Sequence, residues 1–344
     1  MKTTSKQPSD IRVAVIGYGG SFNMGRAHLT EMKKAGMTPT AVAEIDPARL
    51  DAAAKDFPGI ETYSSVAAML KQSAADLITI ITPHNSHAKL ALQCLRAGRH
   101  VVVEKPMAIT TAECDAMIAA ARANKVMLST YHNRHWDGWI MEAVERIRAG
   151  VIGELYRVEA HMGRWGKPGD WWRSSKSISG GILYDWGVHL LEYSLQLIDS
   201  EIVEVTGFAK TGVWANATRW KADTNEDEGD VIVRFRNGVW LRLTISQLDS
   251  NPKRGQLEIT GTKGTYLIDF PNYEIITHAG PETVITRGKS RESEGWRFYQ
   301  NVADHLTKGD RLIISPEWAR RPIHILDLAN RSARLGRALR AKYG

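Results

Sequence analysis

The stretch IRVAVIGYGGSFNMGRAHL, residues 11–29, decides how this chain is read. An apolar, β-branched run ends in glycines, and a helix-compatible segment follows. Gly17 and Gly19 fit the first two glycines of a dinucleotide fingerprint. A side chain at either place would block the tight turn, or the approach of a pyrophosphate to the helix N-terminus. The strict G-x-G-x-x-G spacing fails. Phe22 holds the third position and Gly25 comes three residues late, so the loop is longer. A bare glycine turn could also close a Rossmann unit that binds nothing. The context favours binding, because the turn follows a strand and opens a helix. Glu44 ends the next strand, about 20 residues beyond the glycines. A carboxylate there accepts hydrogen bonds from ribose hydroxyls and repels a 2′-phosphate. No arginine follows it directly, which favours NAD over NADP; the plainer reading makes Glu44 and Asp46 ordinary loop acids.

The same rhythm continues outward. Apolar runs at 40–45, 76–82, 100–105 and 126–130 alternate with helical segments such as 86–98 and 110–125. Continuous β-branched runs separated by helices predict parallel strands buried on both faces, a doubly wound α/β domain over residues 10–131. After about residue 150 the pattern changes. ELYRVEAHMG alternates as a half-buried strand does, Asn237-Gly238 separates two such runs, and LEITGTKGTYLID reads as a second hairpin. Two helices follow, near 293–308 and 316–340. Residues 132–344 are therefore expected to form an α+β domain with a large, mostly antiparallel open sheet.

The composition excludes several classes. With 344 residues, 43% hydrophobic and 24% charged, the chain can bury a proper core. No apolar run is long enough to span a bilayer, and the opening MKTTSKQPSD lacks a secretory pattern, so the cytoplasm is expected. Two cysteines, Cys94 and Cys114, make no disulfide framework. The net charge of +7 is spread along the chain. Its densest basic stretch, Arg331, Arg334, Arg337 and Arg340, reads as a solvated face of the last helix, so no nucleic-acid partner is expected.

Two further stretches carry chemistry. VVVEKP places Lys105 at the carboxyl end of a strand, the edge at which ligands bind in open parallel sheets. Pro106 cannot extend the ladder. GGILYDWGVHLLEY, residues 180–193, sets Asp185 and His189 four residues apart, hence on one face of a helix. With Glu192 and Gln196 they form a polar stripe opposite Ile182, Leu183, Trp186, Leu190 and Ile198. The stripe is either a solvated face or the wall of a cleft. His84 with His87, and His132 with His135, lack any zinc signature, so no metal is assigned. All 11 tryptophans lie beyond residue 135. Trp186 and Trp240 read as core or interface residues. Trp172 and Arg173, in the loop RWGKPGDWWRSS, read equally as packing or as a sugar-binding platform.

These pieces, in this order, resemble the Gfo/Idh/MocA family of oxidoreductases along essentially the whole chain from residue 11. The match runs through VIGYGG…MGRAH, VAEIDPARL, TPHNSHAKLALQCLRAGRHVVVEKP, YHNRHWD, SGGILYDWGVH and the tail from RFYQNVADH to NRSARLG. EKP at the end of a fourth parallel strand and D-x-G-x-H after a glycine pair are its most specific elements. The lengthened glycine loop departs from the family pattern, with Asn23 and Met24 in the place of residues under the pyrophosphate. Glu192 stands where many relatives have an aspartate.

The resemblance implies an NAD(P)-dependent dehydrogenase whose substrate is a sugar or cyclitol, assembled as a homodimer or homotetramer. It implies that Lys105, Asp185 and His189 are catalytic, that Thr82, Pro83, His87 and Glu104 line the cofactor, and that Tyr131, Asn133 and Arg134 lie beneath the substrate. Oxidising a secondary alcohol needs a hydride acceptor and a proton acceptor. His189 would take the proton, Asp185 would orient it, and Lys105 would stabilise the alkoxide. An NAD-dependent glycosidase acting by transient oxidation and elimination keeps the same fold. A non-catalytic nucleotide-binding sensor is the other alternative.

Overall fold

In the computed structural model, residues 7–19 and 23–343 are described. They fall into two compact units. One comprises the chain up to Asn133 together with Trp296–Arg320; the other comprises Arg134–Gly295 and Arg321–Gly344.

The first unit contains strands β1 (Arg12–Ile16), β2 (Thr38–Ala43), β3 (Glu61–Tyr63), β4 (Leu77–Ile80), β5 (His100–Val103) and β6 (Leu128–Thr130). Between them run helices α1 (Met24–Lys34), α2 (Pro47–Asp56), α3 (Val66–Gln72), α4 (His87–Arg96) and α5 (Thr111–Asn124). All pairings are parallel, in the order β3-β2-β1-β4-β5-β6. The strand order therefore reverses between β1 and β4. Every residue of β4 and β5 is buried, which is why these strands read as unbroken apolar runs. The expected doubly wound sheet is present, with one addition. The polar triplet Glu61–Tyr63 forms an edge strand, so EKP follows the fifth strand in chain order and not the fourth. Two exposed residues and one half-buried tyrosine give no apolar run to detect. Helix α5 begins on a capping box, with Thr110 Oγ1 accepting from Glu113 N and Glu113 Oε2 accepting from Thr110 N.

The second unit holds α6 (Gly138–Arg148), β7 (Leu155–Gly163), α7 (Lys176–Ser179), α8 (Gly187–Leu197), β8 (Ile202–Lys210), β9 (Glu228–Phe235), β10 (Trp240–Ser246), β11 (Leu257–Gly261), β12 (Gly264–Asp269), β13 (Asn272–Ala279) and β14 (Glu282–Lys289). Helix α9 (Arg297–Lys308) rejoins the first unit. Helix α10 (Pro316–Leu335) and strand β15 (Leu339–Arg340) end the chain. The sheet order among the described residues is β14-β13-β12-β11-β7-β10-β9-β8-β15. Both expected hairpins form, β9–β10 around Asn237-Gly238 and β11–β12. β7 and β10 pair in parallel, so the sheet is mostly but not wholly antiparallel. Val158, Ala160, Leu241, Leu243 and Ile245 are buried on the face that α8 covers. Arg157, Glu159, Arg242 and Thr244 alternate with them on the other face. The last helix stops at Leu335 instead of 340, because Gly336 takes a left-handed conformation. Arg337 and Arg340 thus lie beyond it, and Arg340 belongs to the edge strand beside β8.

Among the described residues no helix is long and apolar enough to cross a membrane.

One buried histidine makes the first unit acid-sensitive. His100 opens β5 and its Nδ1 accepts from Met127 N at 2.9 Å. Burial pushes its pKa down to about 4. The folded chain then binds fewer protons than the unfolded chain between about pH 6.5 and 4, so stability falls as pH drops through that window. The loss approaches about 3 kcal/mol. Urea denaturation across that pH range should show this slope in the native chain, and a shallower one in His100→Gln.

Candidate functional site

The first unit presents its candidate residues along one edge of the parallel sheet. Gly17 follows β1 with φ +94°, a conformation that L side chains rarely adopt. A Cβ built there would stand 2.3 Å from the carbonyl oxygen of Ile81, just past β4. The turn therefore sits at the place where the strand order reverses, and only glycine fits. A Cβ on Gly25 would stand 2.8 Å from Gly17 O and from Tyr18 Cα. Gly25 thus lets α1 pack on the turn, as a third fingerprint glycine does, despite arriving late in sequence. Asn23, left-handed at φ 50°, precedes α1, and Met24 is that helix's first residue. Phe22, whose position breaks the strict spacing, lies outside the described residues.

Glu44 stands just past β2. Its Oε2 accepts from Tyr18 N at 2.8 Å, and its Oε1 from Ile45 N at 2.7 Å and Asp46 N at 3.2 Å. The carboxylate ties the end of β2 to the glycine turn, so it is more than an ordinary loop acid. A carboxylate has about four acceptor positions, so one remains for a further donor. Arg49, on α2, lies alongside Gly19, with its side chain about 3.0 Å from where a Cβ would be. The sequence reading missed this arginine because it looked only directly behind Glu44. The helical turn between them, started by Asp46 capping Ala48 N, was the available signal.

Past β4, Thr82 and the exposed Pro83 lead into the buried His87. His87 Nε2 lies 2.8 Å from Thr82 O, and Nδ1 lies 2.8 Å from Pro106 O. Burial lowers the His87 pKa although both carbonyls favour the charged ring. The imidazole thus joins the loops after β4 and β5 through their main chains. The neutral ring carries one N–H, so it donates to one of these carbonyls at a time.

Past β5, the Glu104 carboxylate binds on both sides. Oε2 accepts from Lys105 N at 2.8 Å, and Oε1 lies 3.1 Å from His28 Nε2. Burial works against its charge, but the His28 hydrogen bond and the nearby Lys105 hold its pKa below the ordinary value. His28, on α1, is wholly buried, and its Nδ1 lies 2.6 Å from the Tyr299 hydroxyl of α9. Tyr131 is buried in the same cluster, its ring 4.3 Å from that of His28 and its hydroxyl 2.5 Å from Glu31 Oε2. Asn133 begins a 3-10 turn that continues to Trp136.

The second unit carries the other candidates. GGILYDWGVHLLEY is not one helix. Ile182–Tyr184 form a 3-10 turn, and α8 starts only at Gly187. Asp185 therefore precedes the helix that holds His189. The solvated-stripe reading fails as well. His189 is 6% exposed and Glu192 1%, whereas Trp186, expected in the core, is 37% exposed. Trp240 is half-buried on β10. Both oxygens of Glu192 have partners, Oε1 2.5 Å from His135 Nδ1 and Oε2 accepting from Gln196 at 3.1 Å.

The Asp185 carboxylate lies 3.6 Å from the Arg173 guanidinium. That guanidinium is also 4.8 Å from the Trp171 ring centre and 4.5 Å from that of Trp172. Two indole faces and one carboxylate thus hold Arg173 in a fixed orientation. Arg134 lies 5.2 Å over Trp186 and 3.2 Å from Asp137 Oδ2, while the ring centres of Trp186 and His189 are 5.5 Å apart.

The glycine pair before this turn has a reason the sequence did not supply. Gly181 has φ +124°, and a Cβ there would stand 2.7 Å from Glu226 Oε2. The buried Glu226 accepts from Ile182 N at 3.0 Å and pairs with Lys176 at 2.5 Å. It anchors the backbone that leads to Asp185 from 44 positions downstream of Ile182, too far for a local motif to reveal.

Comparison with known proteins agrees with this architecture. The family model for the Gfo/Idh/MocA oxidoreductase family, NAD-binding Rossmann fold, matches residues 11–132, and that for the Gfo/Idh/MocA C-terminal domain matches residues 140–267. The scyllo-inositol 2-dehydrogenase (NADP(+)) IolW of Bacillus subtilis (strain 168) is 29% identical over 188 residues, 54% of this chain and 51% of that protein. The uncharacterized oxidoreductase YdgJ of Escherichia coli (strain K12) is 31% identical over 211 residues, 61% of this chain and 60% of that one. The chain thus spans between half and two thirds of the length of these curated relatives. The solved structure of an NAD-binding protein from Listeria innocua aligns with a TM-score of 0.79 at 27% identity, covering 96% of this chain and 97% of that one. With both halves matched by their own family models, this chain belongs to the Gfo/Idh/MocA family of oxidoreductases.

Proposed function

We propose that the chain is an NAD-dependent oxidoreductase that moves a hydride between the nicotinamide and a secondary alcohol of a sugar, sugar derivative or cyclitol. The observation that carries this reading is the layout of the parallel-sheet edge. A turn that admits only glycine lies at the strand-order reversal, and Lys105 follows the next strand but one on the same edge. The residues present fit the cofactor. Gly17 and Gly19 leave backbone accessible at the turn, the buried Gly25 lets α1 pack onto it, Asn23 and Met24 open the helix beyond, and Glu44 keeps acceptor capacity for ribose hydroxyls. Thr82, Pro83, His87 and Glu104 complete that edge. When bound, NAD supplies the hydride acceptor.

The chain's own groups do the rest. His189 takes the hydroxyl proton, Asp185 orients the imidazole and stabilises its charged form, and the Lys105 ammonium stabilises the developing alkoxide. Tyr131, Asn133 and Arg134 support the substrate. Trp172 offers a flat apolar face to sugar C–H groups, and Arg173, fixed between indoles, offers directed donors to hydroxyls or a carboxylate. The name of the Bacillus relative supports a cyclitol or sugar over other alcohols. The sheet of the second unit has α8 on one face of β7 and β10, and its opposite face is the one offered for assembly into a homodimer or homotetramer.

Two predictions test this reading. A panel of sugars, cyclitols and glycosides, read by absorbance of the reduced cofactor and by product analysis, should yield net cofactor reduction. With the best alcohol, His189→Ala and Lys105→Ala should each lower kcat by at least about 100-fold while leaving NAD affinity nearly unchanged. Full activity in His189→Ala would remove the proton acceptor from the reading. Glu44→Gln removes the charge and keeps one accepting oxygen, which can serve Ile45 N and Asp46 N but not Tyr18 N as well. Its efficiency ratio for NADP over NAD should rise about tenfold, the equivalent of roughly 1.4 kcal/mol. An unchanged ratio would show that Glu44 does not face the ribose.

A further inference from the structure

His28 on α1 is wholly buried and has no part in the proposed chemistry. That helix opens beyond the glycine turn, and the ring joins three other elements of the same unit. Nε2 lies 3.1 Å from Glu104 Oε1, past β5, and Nδ1 lies 2.6 Å from the Tyr299 hydroxyl on α9. That hydroxyl lies 3.2 Å from Thr79 Oγ1 on β4.

Chemistry fixes the direction of the bond to Glu104. Glu104 keeps its charge and can only accept, so Nε2–H donates to it. Nδ1 rests against the Tyr299 hydroxyl, which burial keeps protonated. The ring is thus held from both sides. The other Glu104 oxygen accepts from Lys105 N at 2.8 Å, and Glu104 N donates to Ile80 O at 2.9 Å. The carboxylate therefore governs the peptide plane from which the Lys105 side chain departs.

We propose that His28 is a positioning residue for Lys105: held in place by Tyr299, its Nε2–H keeps the Glu104 carboxylate against the main-chain amide of residue 105. The functional side of this inference rests on the role given above to Lys105. His28 also ties the glycine-turn helix to the tip of β5, so the cofactor-binding turn and the ammonium are registered through one ring.

The test uses the full-length chain labelled with 13C at lysine Cε, without cofactor, the Lys105 resonance being assigned by its loss in Lys105→Arg. His28→Ala should shift that resonance while most other lysine signals stay in place. With NAD and the best alcohol of the panel, kcat should fall by up to about 100-fold, with KM for NAD changing less than about threefold. His28→Gln, which keeps a donor toward Glu104, should recover most of the turnover. Tyr299→Phe should lower it by a smaller factor. If His28→Ala fails to fold, His28→Gln and Tyr299→Phe carry the measurement. A Lys105 signal unmoved in every folded variant overturns the inference, as does native turnover in all of them beside an inactive Lys105→Ala. Full turnover in Lys105→Ala removes instead the catalytic role of that lysine, and the resonance shift still decides whether His28 positions it.

Discussion

The first unit depends on a steric constraint at one main-chain position. Between Gly17 and Ile81 O there is room for a hydrogen but not for a carbon. That closeness lets β1 and β4 meet at the reversal of strand order, and past it Gly17 N donates to Ala43 O and Tyr18 N to the Glu44 carboxylate. Everything functional on that edge is placed relative to this approach. Glu44 reaches back to the turn, α1 packs onto it through Gly25, and α1 in turn carries His28 to Glu104. A single methyl at Gly17 would therefore disturb far more than the local turn, because three loops take their register from it.

Much of this was legible in the sequence, for a physical reason. A strand buried on both faces must be apolar throughout, so β1, β4 and β5 announced themselves. Glycines that no side chain could replace marked the turn. EKP marked a strand end, and Asn237-Gly238 marked a hairpin. What stayed hidden was what long-range packing decides. Asp185 and His189 fit one helical face by spacing, yet the 3-10 turn at Ile182–Tyr184 interrupts the helix, because Gly181 must bend around Glu226. The polar residues of α8 resemble a wet stripe, yet His189 and Glu192 are buried, with Gln196 one turn along the same helix and His135 from outside it supplying partners to Glu192. Arg49, Glu226 and Tyr299 escaped notice because their partners are distant in sequence. The short strand β3 escaped notice because an edge strand needs no apolar alternation.

Both candidate halves combine two ways of holding their groups. Some polar side chains grip main-chain atoms: Glu104 an amide and Glu44 three amides in the first unit, Glu226 the amide of Ile182 in the second. Such bonds fix the backbone and leave the neighbouring side chains to meet a ligand. Elsewhere side chain grips side chain: His28 with Glu104 and Tyr299 in the first unit; Arg173 with Asp185 and two indoles, His135 with Glu192, and Tyr193 with Asp137 at 2.6 Å in the second. A surface organised that way can be retuned by exchanging one pair while the backbone stays put.

The discontinuity of the first unit governs the order in which it can mature. Its helix α9 supplies Tyr299 to His28, Ser129 Oγ donates to Ile314 O, and Asp115 and Arg122 form ion pairs with Arg320 and Glu317. During synthesis these partners leave the ribosome only after the whole nine-stranded sheet has been made, apart from its last edge strand. The nucleotide half, though first to emerge, must wait as an unclosed intermediate until residue 320 is available. A fragment cut at Asn133 would lack the same closing helix, so the domain that looks most autonomous in the primary structure is the one least able to be expressed alone.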